Sequence, residues 1–299
     1  IYEVAWSRIL AMMLGSSVYA FSLMLSAFIL GLALGSAAIA RFIDRVREPL
    51  LWLAIVEVLV GVSALAVVPV LGALPLWLTR MIFENRESFL RLQLAEFSVI
   101  LLIMLVPTTL MGAAFPLATK IVFARSRAVA ATVGTVYTFN TVGAILGSAA
   151  AGFLLIPTLG TQVTILVAVV MNVVTGCVLL GLARAASIRG RLVGGAIVAA
   201  VTIVVVLAMR RWDPLRMSMG PFLTPTRYGR EHLGSRRGLE NLLEEQGKVL
   251  FYEEGIGATV TVRQSKSGHL VLLVNGKPDA TTGGDMPTQL LSAHAPMML

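Results

Sequence analysis

The chain has 299 residues, of which 57% are hydrophobic and 13% charged, with a net charge of +8 and a mean hydropathy of +0.85. Soluble domains carry about a quarter charged residues, so these values exclude a soluble globule and a disordered chain, and the single cysteine excludes a disulfide scaffold. Residues 1–209 hold 13 Lys/Arg and 7 Asp/Glu, whereas residues 210–299 hold 11 and 9 together with all three histidines. The first part reads as membrane and the second as water-soluble. The excess charge of the first part lies between apolar spans, which marks topology and not nucleic-acid binding.

The chain begins at Ile1 without an initiator Met or a signal-peptide pattern, so it reads as a piece of a longer protein. Residues 1–15, with Glu3 and Arg8 in an apolar setting, read as the tail of an earlier span or as an interfacial connection. About 20 apolar residues cross a bilayer, and six such stretches follow, near 16–40, 51–72, 97–119, 129–155, 162–183 and 192–209. Residues 128–183 contain no charged side chain and are interrupted only at 156–162, which predicts two helices and a tight turn. The spacing therefore predicts an all-α polytopic membrane bundle over 1–209, a linker over 210–248 and a small antiparallel β-hairpin domain over 249–299.

Basic loops stay cytoplasmic. Arg41, Arg45 and Arg47 follow the first span, Lys120, Arg125 and Arg127 the third, and Arg184, Arg189 and Arg191 the fifth. Alternation from these loops sends the tail outside, yet Arg210 and Arg211 stand at its start and argue for the inside.

Inside the spans, Gly31 with Gly35 and Gly143 with Gly147 have the four-residue spacing that lets helices approach closely. Pro107 and Pro116 predict a kink, with Thr108 and Thr109 placed to satisfy freed carbonyls. Glu57 is the acidic residue set deep in a span; it is either a functional group or a side chain about one turn deep that snorkels toward the 41–48 loop. Asn140 and Asn172 read as interhelical hydrogen-bond donors, and Cys177 as a small apolar residue. No His/Cys/Asp cluster has metal-ligand spacing.

In the tail, residues 239–246 suit a short helix. Residues 258–264 and 269–274 alternate as two strands around Ser265-Lys266-Ser267-Gly268, and Asn275-Gly276 signals a further reversal into 277–282. Asp285 is placed to cap a helix with Pro287 in its first turn.

The segments Phe251-Tyr252-Glu253-Glu254-Gly255-Ile256-Gly257-Ala258-Thr259-Val260, Leu273 through Ala280 and Asp285 through Met297 resemble the N-terminal β-domain of spermidine/spermine synthase-like proteins. Tyr2-Glu3-Val4-Ala5-Trp6-Ser7-Arg8, Gly15 through Ala20, Met111 through Pro116 and Asn140 through Ala144 are similar to the membrane signatures of that family's membrane-fused branch. The resemblance implies a Rossmann-like catalytic domain beyond residue 299 that takes decarboxylated S-adenosylmethionine as aminopropyl donor. It implies no cofactor for residues 1–299, which alone are expected to be inactive. It also implies substrate-binding roles for Asp285 and Gln289, with His294 at the helix end. Thr288 stands where the synthases have tyrosine, and Gly257-Ala258 where they have a Tyr-Gln pair. Gly255-Ile256-Gly257 precedes a strand and lacks a third glycine, so it is no cofactor loop.

Two functions follow. One is membrane-anchored aminopropyl transfer to a polyamine, with the lipid bilayer and the absent Rossmann-like domain as partners and no nucleic acid. The other is a transporter-like or sensing protein whose synthase-like domain binds a small molecule without turnover; a plain structural anchor would need no buried polar group. A donor made in the cytoplasm favours a multi-pass cell-membrane protein with a cytoplasmic tail.

Overall fold

A computed structural model describes residues 1–126, 128–183, 188–223 and 236–298. Six helices are long and apolar enough to cross a membrane, and a four-stranded antiparallel sheet follows them. The protein is a multi-pass membrane helix bundle with a small β unit.

The first helix, α1 (Tyr2–Leu14), packs into the protein core, where Trp6, Ile9, Leu10 and Met13 are fully buried. Gly15, at φ 86°, turns the chain. The Ser17 side chain accepts from Ala20 N and so caps α2 (Val18–Phe42). After Pro49 opens α3 (Pro49–Asn85), α3 and α4 (Phe89–Ser126) run 37 and 38 residues, well past the expected 51–72 and 97–119. At 1.5 Å per residue each is about 55 Å long, whereas a hydrocarbon core is about 30 Å thick. The stretch between those two expected spans is therefore mostly helix, and within it Arg80 pairs with Glu84 at 2.9 Å along the helix surface.

Four prolines lie inside these helices without ending them. Hydroxyls take up carbonyls nearby: Thr79 donates to Pro75 O at 2.8 Å, Thr108 to Met104 O at 2.6 Å and Thr119 to Phe115 O at 2.9 Å. The same device removes the expected break at 156. Helix α5 (Val129–Ala149) passes through a π-turn at Ala150–Leu155 into α6 (Ile156–Leu159), with Thr158 donating to Leu154 O at 2.6 Å. Only Gly160, at φ 81°, separates it from α7 (Thr161–Leu182), and α8 (Ile188–Ala208) returns.

Helix α2 lies parallel to α4, and α3 antiparallel to α7. Gly31 sits on Thr108, Gly35 on the Thr109 carbonyl and Gly112 on the Leu32 carbonyl. Gly61 faces Val169 and Val173, and Gly176 faces Ala54 and Val58. Gly143 has nothing within 4 Å of the place a Cβ would take, so of the two expected glycine rows only the first is packed on both glycines.

These registers sort the loops onto two faces. Lys120 donates to Ile43 O, joining the 41–48 loop to the end of α4, and the antiparallel α3–α7 pair puts Leu182 beside Pro49. The three basic loops thus share one face, with Arg127 and Arg184 outside the described residues. The other face carries the α3–α4 hairpin end, Gly160 and the tail.

The tail docks on that second face. Met219, Leu242 and Leu243 bury themselves against Leu76, Phe83 and Leu215, so α9 (Pro214–Met217) and α10 (Arg236–Glu245) rest on the end of α3. Strands β1 (Lys248–Glu254), β2 (Thr259–Gln264), β3 (Leu270–Val274) and β4 (Lys277–Thr281) form a meander. Strand β1 is additional to those the alternation indicates; its Val-Leu-Phe-Tyr run has no period of two. Asn275 (φ 50°) and Gly276 (φ 77°) make the expected two-residue turn between β3 and β4. Helix α11 (Met286–His294) starts at Asp285, whose side chain makes no cap bond, contrary to expectation. The Asp285 φ of −85° and ψ of −11° are already helical, which aims the carboxylate away from the first-turn donors.

The glycine contacts yield a paired test. A Cβ on Gly35 would stand 1.7 Å from the Thr109 carbonyl oxygen, so Gly35→Leu should destabilise the detergent-solubilised protein by about 3 kcal/mol. Gly143→Leu, in open space, should be neutral or slightly stabilising, because glycine costs a helix about 1 kcal/mol. Equal losses of thermal stability in the two variants would contradict the assigned packing.

Candidate functional site

The functional region is the seam between sheet and bundle. Helix α7 begins after Gly160, which has no side chain to cap it, so its first donors need a partner from elsewhere. Glu254, at the end of β1, supplies it: Oε2 accepts from Thr161 N at 2.8 Å and also from the Thr161 hydroxyl. A carboxylate here also meets the positive end of the helix dipole. Its other oxygen, Oε1, accepts from the Tyr252 hydroxyl at 3.3 Å.

Arg8 makes the complementary contact. From the buried α1 its guanidinium donates to Ile256 O at 3.1 Å and to Gly255 O, the two carbonyls just after β1. Burial lowers the pKa of Arg8, and the negative charge of Glu254 works the other way. Gly276 lies against Gly220 and the Met12 carbonyl, a close approach that a side chain on either glycine would prevent.

Gln162 and Trp212 close the other wall. Gln162 Nε2 donates to Arg210 O at 2.8 Å and its Oε1 accepts from Trp212 N at 2.9 Å, so one amide pins the chain as it leaves α8. The Trp212 ring lies over Gly72, and its Nε1 donates to Val68 O at 3.0 Å.

Between these walls is a cavity of about 320 Å³, lined by residues that include Gly160, Arg211, Trp212, Tyr252, Glu253 and Glu254. Glu254 and the Tyr252 and Trp212 rings line one space with Arg211, while Glu253, between Tyr252 and Glu254 on β1, stands on the other face of the strand. Such a lining complements a small organic cation, through ion pairing and contact of the cation with ring faces.

The sequence-derived candidates lie elsewhere. Asp285 and His294 are exposed and Gln289 is half-buried on α11, where Asp285 and Gln289 are joined through a backbone hydrogen bond of 3.0 Å. A span of nine residues separates Asp285 from His294, and the last points to a different side of the helix from Gln289. Gln289 Nε2 is buried without a partner. Glu57 accepts from Asn172 Nδ2 at 2.6 Å, an interhelical bond as expected of Asn172. Asn140 is exposed on α5 and makes no interhelical bond among the described residues. Cys177 touches Gly195 of α8, its Sγ 3.4 Å from that carbonyl.

Sequence reasoning missed Arg8, Thr161, Gln162, Trp212, Tyr252 and Glu254 as site residues. One signal was present: the patches Tyr2 through Arg8 and Phe251 through Val260, both quoted for family likeness, are the two sides of a single contact. Comparisons with family models, curated proteins and solved structures find no match to this chain.

Burial, then the neighbouring Glu254 charge and its hydrogen bond, raise the pKa of Tyr252. A raised pKa means the fold holds the neutral phenol. Its contribution is therefore complete below the unfolded value of about 10 and is lost as pH rises through the higher folded value. The stability difference between wild type and Tyr252→Phe should stay flat from about pH 6 to about pH 9, with wild type losing ground above about pH 10. Urea unfolding across that range checks this, and a difference unchanged into the alkaline limb would contradict it.

Proposed function

We propose that this membrane protein binds a small polyamine-type cation in the seam cavity, and that its sheet is the amine-side part of a spermidine/spermine synthase-like unit. The observation that carries the reading is the convergence of Glu254, Tyr252 and Trp212 on one cavity. In this reading aminopropyl transfer belongs to the full-length protein, with decarboxylated S-adenosylmethionine as co-substrate. The cytoplasm, where such a donor is made, is the side this reading gives to the sheet.

Calorimetric titration of the purified chain with spermidine tests the cavity. Saturable binding is expected, weakened about tenfold by Glu254→Gln, a loss of about 1.4 kcal/mol, and strengthened by Arg211→Ala. Heat that vanishes when salt matches the ionic strength, or binding indifferent to Glu254→Gln, would refute it.

One observation favours the second reading, binding without turnover. The three basic loops lie on the face opposite the sheet, and all six spans are present, so a cytoplasmic position for those loops puts the sheet outside. Lys and Arg near an anionic surface contribute about 1 kcal/mol each. In that arrangement the sheet meets extracytoplasmic amines and the bundle carries the signal or the cargo. A phosphatase active only outside the cytoplasm, fused after Leu299, separates the two: activity supports sensing or transport, and silence with a cytoplasm-active reporter working at the same site supports synthase chemistry.

A further inference from the structure

A second polar site lies inside the bundle, away from the seam. Glu57 is the ninth residue of α3, and its partner Asn172 is the twelfth of the 22 residues of α7. Asn172 is therefore about 16 Å from either end of its helix, which places the pair near mid-membrane and not one turn deep as the loop-snorkelling reading expects. Gly61 and Gly176 bring α3 and α7 together on either side of the pair.

The surroundings give Glu57 no counter-charge. Among the described residues it forms no ion pair, and the charged groups of the helices packed on α3 and α7 are bonded or placed elsewhere: Arg8 at the seam, Arg80 with Glu84, and Glu96 with Gln93. On α1, Tyr2 is the buried hydroxyl within electrostatic range of Glu57. Tyr2 is 8% exposed, stacked on Trp6 at 5.1 Å, and its hydroxyl has no hydrogen-bond partner. Thus a mid-membrane carboxyl with one amide donor stands beside an orphaned, buried hydroxyl. A carboxyl so placed, without a cation, marks a proton or substrate path in membrane bundles.

We propose that Glu57 is an exchangeable proton site of the bundle, bonded to Asn172, and that the Tyr2 hydroxyl, unpartnered in the structure, turns to it as a second partner. In the neutral form the carboxyl accepts from Asn172 and its O–H donates to the Tyr2 oxygen. On release the carboxyl O–H bond breaks, the proton passes to water, and the carboxylate accepts from both Asn172 Nδ2 and the Tyr2 O–H. The hydroxyl reverses between donor and acceptor without leaving the site, so the two states differ by one proton and one rotor.

Dicyclohexylcarbodiimide, a lipid-soluble reagent that adds to protonated carboxyls, tests this on the intact chain in membranes, with the modified residue assigned by peptide mass spectrometry. Modification of Glu57 is expected and should fall about tenfold per pH unit above its midpoint, as a single titrating site requires. Tyr2→Phe, which keeps the stacking on Trp6, should move that midpoint, and Glu57→Gln should abolish the modification while leaving any at Glu96. Absence of modification at Glu57 at every pH, or a rate independent of pH, would overturn the proton site. A midpoint unmoved by Tyr2→Phe would overturn the role of Tyr2.

Discussion

The start of α7 is a helix terminus without a cap of its own, and Glu254 from the sheet caps it. Everything at the seam depends on that exchange. An uncapped N-terminus costs about 0.5–2 kcal/mol, and a carboxylate buried beside apolar helices costs more unless donors meet it. Each liability cancels the other. The same contact fixes β1 against Gly160, which sets the cavity wall, and Arg8 repeats the logic by donating from a buried helix to carbonyls that follow β1. The β unit is small and buries little core of its own, so its position comes from polar bonds to the bundle and from α10 resting on the overhanging end of α3.

Within the bundle, close helix approach is achieved by glycine facing backbone, and proline is accommodated by neighbouring hydroxyls. The two devices act together at Thr108, whose hydroxyl bonds the Met104 carbonyl while its side chain fills the groove over Gly31. The result is a framework stiff enough to hold a carboxyl such as Glu57 at mid-membrane beside a single amide. The seam and the Glu57 pair lie on the same helix, α7, at its first turn and its midpoint.

Six spans, the Asn275-Gly276 turn and the terminal helix were legible in the sequence because hydropathy runs and turn chemistry are local properties. The extensions of α3 and α4 were not, since Arg80 and Glu84 read as loop charges until helical spacing pairs them. Nor was the continuity of helix through Pro157, which relies on a π-turn and on Thr158. The seam was hidden for a different reason: Arg8 and Glu254 meet residues about 247 and 93 positions away, and no window along the chain contains both sides. Asp285, Gln289 and His294 stand out only through the family resemblance, and α11 alone does not bring them together.

The most direct test of the account is a double-mutant cycle on Thr161→Val and Glu254→Gln, read by urea unfolding of the purified protein. If Glu254 sits at the start of α7, the two losses should be coupled by about 1–2 kcal/mol, since Thr161→Val removes the hydroxyl that donates to the carboxylate and Glu254→Gln removes the charge it meets, while the Thr161 N–H stays in both. Losses that add within about 0.3 kcal/mol would show that Glu254 and Thr161 act independently, and the docked seam would have to be abandoned.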